Sequence, residues 1–537
     1  MIKPVELRET KPVTLLNGDV ASNADVWEML SAAREGNLQK IKDLSSRSPG
    51  LVTCEYNYTP PIHFSVREGH LETTRFLLDH GADSSSYRSY PFQDSLLTMA
   101  RDRNYDDVAG LLLEYLSRRA PVVEGVEQFF SAARNGDHQT VLAQLSVNPA
   151  LARAANDTGD TALHQAIEGN QLEVVNTLLE WGADPDAKRA NGIRPINCAL
   201  RRNNMALAET LLERGAAYNI YLAAVFGDTE HVKNALAADA ALANFEDSSH
   251  AHPLSAAASR NDLELLNLLL AHGANPSLPE EGAPLGQPLW TAVYQRQHEM
   301  ARLLLEHGAN PNTAPESSGS ALFQARGDAE LTQLLKEHGA VDKTSHMRDF
   351  QLLVGDNELA KVEAALKQSP ELLRDESAFW SEGILSGPAN QNRREMVELL
   401  LQHGARVPDI SKWGRYYYFK HYEIARILLA RGMNPNHMNW QHVTLLHDMA
   451  QEGDQQKALL LLDHGADMDA IDEEYHSTPL GFAARWGQKE MVLLLLSRAA
   501  DPNRSGAAWS TPLAWARKKK HHEIEQILIK AGARTVD

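Results

Sequence analysis

Thr478-Pro479-Leu480, followed by Ala483-Ala484 and then by MVLLLLSRAADPN from Met491 to Asn503, is the stretch whose reading decides how this chain folds. It reads as two short helices and a turn. A Thr hydroxyl ahead of Pro caps a helix: the oxygen accepts from a free N–H, and Pro fits the first helical position, where no donor is needed. The paired alanines let two helices lie close. The run from Met491 carries an apolar helical face. Asp501, Pro502 and Asn503 then build a turn toward the next unit.

The same pattern recurs along the chain. Thr161-Ala162-Leu163-His164 leads to VVNTLLEWGADPD, Pro288-Leu289 leads to MARLLLEHGANPN, and Thr511-Pro512-Leu513 leads to IEQILIKAGA. The closing glycines keep step: Gly182 to Gly215 is 33, Gly273 to Gly308 is 35, and Gly432 to Gly465 is 33. Ala499 stands in for glycine 34 residues after Gly465, and Gly532 follows 33 later. Glycine at a helix end takes the left-handed conformation that other residues resist. One such unit cannot bury its apolar face alone, so it needs neighbours.

A period near 33 with a T-P-L-H-x-A signature resembles the ankyrin-repeat family, and the resemblance runs from about residue 25 to 534. It implies an all-α ankyrin-repeat solenoid of about sixteen helix-turn-helix units with short hairpin loops. Four units begin without the Thr-Pro start, with landmarks Gly36, Gly136, Gly227 and Gly355. Three of them carry Pro in the closing loop, at Pro49, Pro149 and Pro370. They divide the chain into blocks at 21–123, 124–218, 219–345 and 346–537, after a flexible leader at 1–20. Two units depart in length. Extra loop, PSLPEEGAPLGQP, lies between Gly273 and Gly308, and the step from Gly404 to Gly432 shrinks to 28.

Composition agrees with a folded chain: 43% of the 537 residues are hydrophobic and 23% charged. The formal charge of −19 repels phosphate backbones, which argues against general nucleic-acid or anionic-membrane binding. No apolar run approaches the roughly 18 residues of a membrane helix. Two distant cysteines, Cys54 and Cys198, suit a reducing compartment, so a cytoplasmic protein is expected. Phosphate-loop, dinucleotide, zinc-protease and nucleophile-elbow motifs are absent. Gly383-Ile384-Leu385-Ser386-Gly387 only superficially suggests an elbow. The 22 histidines lack metal-ligand spacing. Several precede a cap glycine, near helix carbonyls, and His63, His164 and His447 fill the signature position. Acidic pairs such as Glu280-Glu281 and Glu473-Glu474 read as solvated loops. No cofactor and no metal are expected.

The family resemblance implies that partners dock on the concave side, at the exposed pair that ends each first helix. Early in the chain this strip is rich in Arg, as at Arg201-Arg202. Later it gains aromatics, at Tyr294, Tyr418-Phe419 and Trp486. Arg and aromatic side chains are enriched at binding hot spots. The stretch from about 379 to 440 is irregular. Phe379 and Trp380 precede it, and Pro388 falls where a first helix should run. Tyr416 and Tyr417 align with the paired alanines, Trp413 and Tyr418 flank them, and Trp440 follows. Aromatic walls of this kind suit a peptide, an arginine or a sugar ring. The leading expectation is a monomeric scaffold that binds another protein or peptide on its concave face. The alternative is an enzyme or a small-molecule or carbohydrate-binding protein, with its site near Glu382, Asp409, His421 and His437.

Overall fold

In the computed structural model the described residues are 1–8, 10–15, 17–83, 94–118, 126–156, 158–189, 192–280, 282–315, 319–341, 345–374 and 382–534. Among them are sixteen helix pairs, from Asn23–Glu35 with Leu38–Arg47 to Pro512–Lys518 with His522–Lys530. The only strands among the described residues, Pro12–Thr14 and Val20–Ser22, form one antiparallel pair. The chain is the expected all-α repeat solenoid.

Local chemistry builds the ordinary unit. The Thr478 hydroxyl accepts from the Gly481 N–H, Pro479 opens the helix, and Thr511 with Pro512 repeats the arrangement. The second helix spans nine residues in most repeats, as in Leu172–Glu180 and Lys489–Ser497. Ala499 takes φ +69° in the glycine position. A side chain there is strained by about 1 kcal/mol. The signature histidines join units: His447 contacts the Thr444 hydroxyl at 2.8 Å and the Ser477 carbonyl, one repeat on, at 3.1 Å. The histidines before the cap glycines contact the carbonyl four residues back, at 2.8 Å for both His272 and His464.

The four variant units share a different ending. Their second helices span ten residues, Leu38–Arg47, His138–Val147, Thr229–Ala238 and Leu359–Gln368. Each is followed by a five-residue 3-10 turn, Pro49–Thr53, Pro149–Arg153, Ala240–Asn244 and Pro370–Arg374. The helix stops at a residue with φ near −140° to −150° instead of a left-handed glycine. Ala240 forms this turn without proline; the Asp239 carboxylate accepts from the Ala241 N–H at 2.9 Å, as the Asn148 side chain does from Ala150 at 3.2 Å. Gly355 is not the left-handed residue of its unit; Asn357 is, at φ +61°.

The chain divides into two compact units. One comprises Met1–Lys11, Asp102–Asn104 and Lys343–Asp537, the other Pro12–Arg101 and Tyr105–Asp342. Continuous apolar clusters run through the second unit, for example Leu265, Leu266, Leu269 and Leu270 with Leu304 and Leu305. Each such burial stabilises by roughly 1.5–3 kcal/mol. Residues 1–20, expected as a flexible leader, carry a 3-10 turn at Val5–Leu7 and the strand pair, because Leu7 and Leu15 have apolar surface to bury. The expected border at 123/124 lies outside the described residues.

Candidate functional site

The tips of the first helices are tied from one repeat to the next. A side chain at or just after the end of a first helix reaches back to a carbonyl in the last turn of the preceding repeat's first helix. His70 contacts the Arg34 carbonyl at 2.9 Å, Arg260 donates to Val225 at 3.2 Å, and His521 contacts Arg485 at 3.1 Å. These carbonyls lack a partner within their own helix, so a donor from the next repeat satisfies them. The tie presses on the closing glycine: a Cβ on Gly36 would meet the His70 ring at 2.6 Å. Gly36 is therefore needed for space as well as for its φ of +69°.

This changes the reading of the strip. Arg260 is spent on the backbone. Arg202, exposed, bridges to Glu168 at 3.1 Å across repeats. Arg201 is exposed at the end of helix Pro195–Arg201. Tyr294 ends helix Pro288–Tyr294 at the equivalent position and is 60% exposed. Its ring stacks on Trp290 at 5.0 Å and 8° between planes, and the Trp290 indole donates to the Gly319 carbonyl at 3.0 Å. Tyr294 is thus a presented aromatic on a fixed support.

The irregular stretch is built differently from the expectation. Tyr416 and Tyr417 are half-buried, whereas Tyr418, expected as exposed, is 0% exposed, as is Phe419. Two phenols cannot occupy a slot made for two methyls; the first helix here is only Gly414–Tyr417, and Tyr418-Phe419 are the buried pair that follows it. The Tyr418 hydroxyl donates to the Glu382 carbonyl. Trp440, also expected as a binding residue, is 1% exposed and packs inside. Trp380 and Phe379 lie outside the described residues. Pro388 does not break its helix, because Ser386–Asn390 is so short that Pro388 falls in the first turn, where no donor is needed.

Glu382 organises this region. It is 1% exposed and accepts the Lys412 N–H at 2.7 Å and the Trp413 N–H at 3.4 Å. Burial pushes its carboxyl up to about 7. Ser411 lies 2.8 Å from His437 Nε2, and burial pulls that imidazole down to about 4. The pair resembles a nucleophile and base, yet both side chains are buried. Gly414 lies against them: a Cβ there would meet Ser411 Oγ at 2.8 Å and His437 Nε2 at 2.9 Å. Ser386, in the elbow-like string, is also buried and donates to the Gly383 carbonyl at 2.8 Å. Half-buried Trp413 and Tyr416 have ring centroids 6.3 Å apart. The Arg415 guanidinium lies 4.5 Å from the Tyr416 centroid and 3.4 Å from Glu452.

A second aromatic group escapes sequence reasoning. The Arg485 guanidinium lies 4.5 Å from the Tyr475 centroid, 5.0 Å from Trp486 and 4.4 Å from Trp515. Trp486, expected on an open strip, is half-buried here. One signal was available. Phe482 and Trp515 both stand four residues after the capping threonine, where the units of Thr161 and Thr444 carry the polar Gln165 and Asp448. The acidic pairs also fold inward. Glu280 is buried against the Ser255 hydroxyl with its carboxyl pushed up by burial to about 7, and Glu474 is buried. Glu281 lies outside the described residues. Both cysteines are buried, and burial raises the thiols, Cys198 to about 11.

A family model described as "Ankyrin repeats (3 copies)" matches residues 129–221, 220–315, 254–347 and 415–506, and an "Ankyrin repeat" model matches 58–87. The chain is 26% identical over 527 residues to the Transient receptor potential cation channel subfamily A member 1 of Homo sapiens, covering 95% of this chain and 40% of that protein. It is 26% identical to the Ankyrin repeat protein nuc-2 of Neurospora crassa, over 47% of this chain and 25% of that one. It is 24% identical to the Ankyrin repeat and KH domain-containing protein mask-1 of Caenorhabditis elegans, over 40% and 10% respectively. The chain therefore spans less than half the length of these relatives. Family matches that cover more than half of the sequence, with sixteen helix pairs among the described residues, place the chain in the ankyrin-repeat family.

Proposed function

We propose that this repeat scaffold binds a partner protein along the first-helix ends from Arg201-Arg202 to Tyr294, the face that ankyrin proteins present as concave. The observation that carries the reading is Tyr294, 60% exposed and stacked on the anchored Trp290. A large aromatic held in one orientation loses little entropy on binding. Exposed arginines at equivalent helix ends supply the other residue type favoured at hot spots. Half-buried Trp413, Tyr416, Tyr417 and Trp486 are secondary candidates. Tyr418 and Trp440 are not contact residues, because they are inside the array.

Against the enzyme alternative stands the burial of Glu382 and His437; of the other two residues, His421 is half-buried and contacts the Asn390 carbonyl at 2.9 Å, and Asp409 is exposed. We also read the four variant units as openings of four blocks, on the strength of their shared ten-residue helix and 3-10 turn. A reducing, cytoplasmic setting remains part of the proposal. The test is quantitative affinity capture from the native host with wild type and an R201A/R202A/Y294A variant of equal thermal stability. At least one specific partner should fall tenfold or more. Equal recovery of every partner by both proteins overturns the assignment.

A further inference from the structure

The link before the third variant unit is unusually short. Six residues join Glu213 to Ile220, whereas fourteen join Glu180 to Pro195 in an ordinary repeat. The missing turn leaves a shallow cleft of about 510 Å³ between helix Met205–Glu213 and helix Ile220–Phe226. Its floor is Leu212, Tyr218 and Phe226, all half-buried, with the two rings 6.3 Å apart. Its rim carries three exposed carboxylates, Glu209, Glu213 and Asp228.

Two of these carboxylates repel each other. Glu209 and Glu213 stand four residues apart on one helix, where like charges face each other and destabilise. The nearest arginine in sequence, Arg214, is turned away, to Glu180 at 3.3 Å and Asn176 at 3.1 Å. Asp228 caps the next helix through the His231 N–H at 3.0 Å, and its other oxygen accepts from the Tyr218 hydroxyl at 3.4 Å. A cation set between the rings and the rim would meet aromatic faces and relieve the Glu209–Glu213 repulsion together.

We propose that this cleft is a docking site for an arginine-bearing basic segment of a partner protein, with one guanidinium stacked on Tyr218 or Phe226 and forked to the rim carboxylates. The volume exceeds that of one side chain, so a short segment enters. Arginine fits better than lysine, because its planar fork stacks on a ring while donating to two carboxylates. The inference rests on the protein-scaffold reading and names partner chemistry at a second surface.

The test uses fluorescein-labelled tetra-arginine, tetra-citrulline and tetra-lysine peptides, read by anisotropy on the full chain. Three proteins are compared: wild type, E209Q/E213Q/D228N, and the distant control E264Q/E306Q/E337Q. Asn retains helix-capping ability at 228, and all six carboxylates are exposed, so folding is expected to persist. Tetra-arginine should saturate wild type and the control alike and bind the cleft variant at least tenfold more weakly. Citrulline should bind at least tenfold more weakly than arginine, and lysine at least threefold. Undiminished binding by the cleft variant, equal loss in the control, or equal affinity for citrulline or lysine overturns the proposal. Synthetic peptides probe the cleft without the native partner, so failure here leaves the Arg201–Tyr294 reading to its own capture experiment.

Discussion

The repeat at Thr478–Asn503 and the repeat at Ser411–Gly432 perform the same task by opposite means. The regular one joins its first helix to its neighbours with two methyls, Ala483 and Ala484, both fully buried. The irregular one uses Tyr418, Phe419 and the buried Glu382 carboxylate of the preceding unit, on a helix of only four residues. Large side chains can replace small ones provided that the helix shortens and each buried polar atom finds a partner. The regular repeat depends on shape, while the irregular one depends on a network centred on Glu382.

The comparison breaks most sharply at Tyr418. Tyr418→Ala removes a fully buried ring and the hydroxyl that satisfies the Glu382 carbonyl, and should cost about 3–5 kcal/mol locally. Hydrogen exchange of helix Tyr422–Ala430 reads this directly, which suits a repeat array that does not unfold in two states. Loss below about 1 kcal/mol would mean that the aromatic fill is not structural.

A smaller, pH-dependent effect belongs to Glu382. Its folded carboxyl is raised from 4.5 to about 7, so its contribution to stability is full below pH 4.5 and is lost as pH rises through 7. Glu382→Gln has no such slope. The variant should therefore gain on wild type between pH 5 and 8, by roughly 2 kcal/mol in local opening energy. Parallel profiles for the two proteins would contradict a buried, neutral Glu382.

The smallest effect tests the regular side. Thr478→Ala removes the cap on Gly481 and should cost about 1 kcal/mol, seen as faster exchange in helix Pro479–Arg485. The irregular first helix has no side-chain cap at Trp413 to lose, so the same logic has no counterpart there. An unchanged exchange rate would show that neighbours, not the cap, hold the regular helix.

Much of the fold was legible in the sequence. Thr-Pro starts, glycine steps and the 33-residue period are local signals, and a repeat needs only local signals plus an identical neighbour. They account for the sixteen helix pairs and for the distinct variant units. The site was legible only in part. Aligning Tyr416-Tyr417 to Ala483-Ala484 assumes a first helix of constant length, and that assumption fails because the first helix here spans only Gly414–Tyr417. Exposure at the strip is misjudged for Tyr418 and Trp486, whose surroundings are supplied by other repeats.

What the sequence alone determined is the repeat unit, its number and its caps, because backbone hydrogen bonds, glycine φ preferences and apolar periodicity act within a few residues. Tertiary structure decided what each repeat does to the next. It turned Arg260 and His70 onto a neighbour's carbonyl, buried Glu382 and His437, and left Tyr294 in solvent. It also opened the cleft at Tyr218, where a shortened link omits a turn. These outcomes depend on which side chain arrives from about 30 residues away, and burial then sets its charge and its availability.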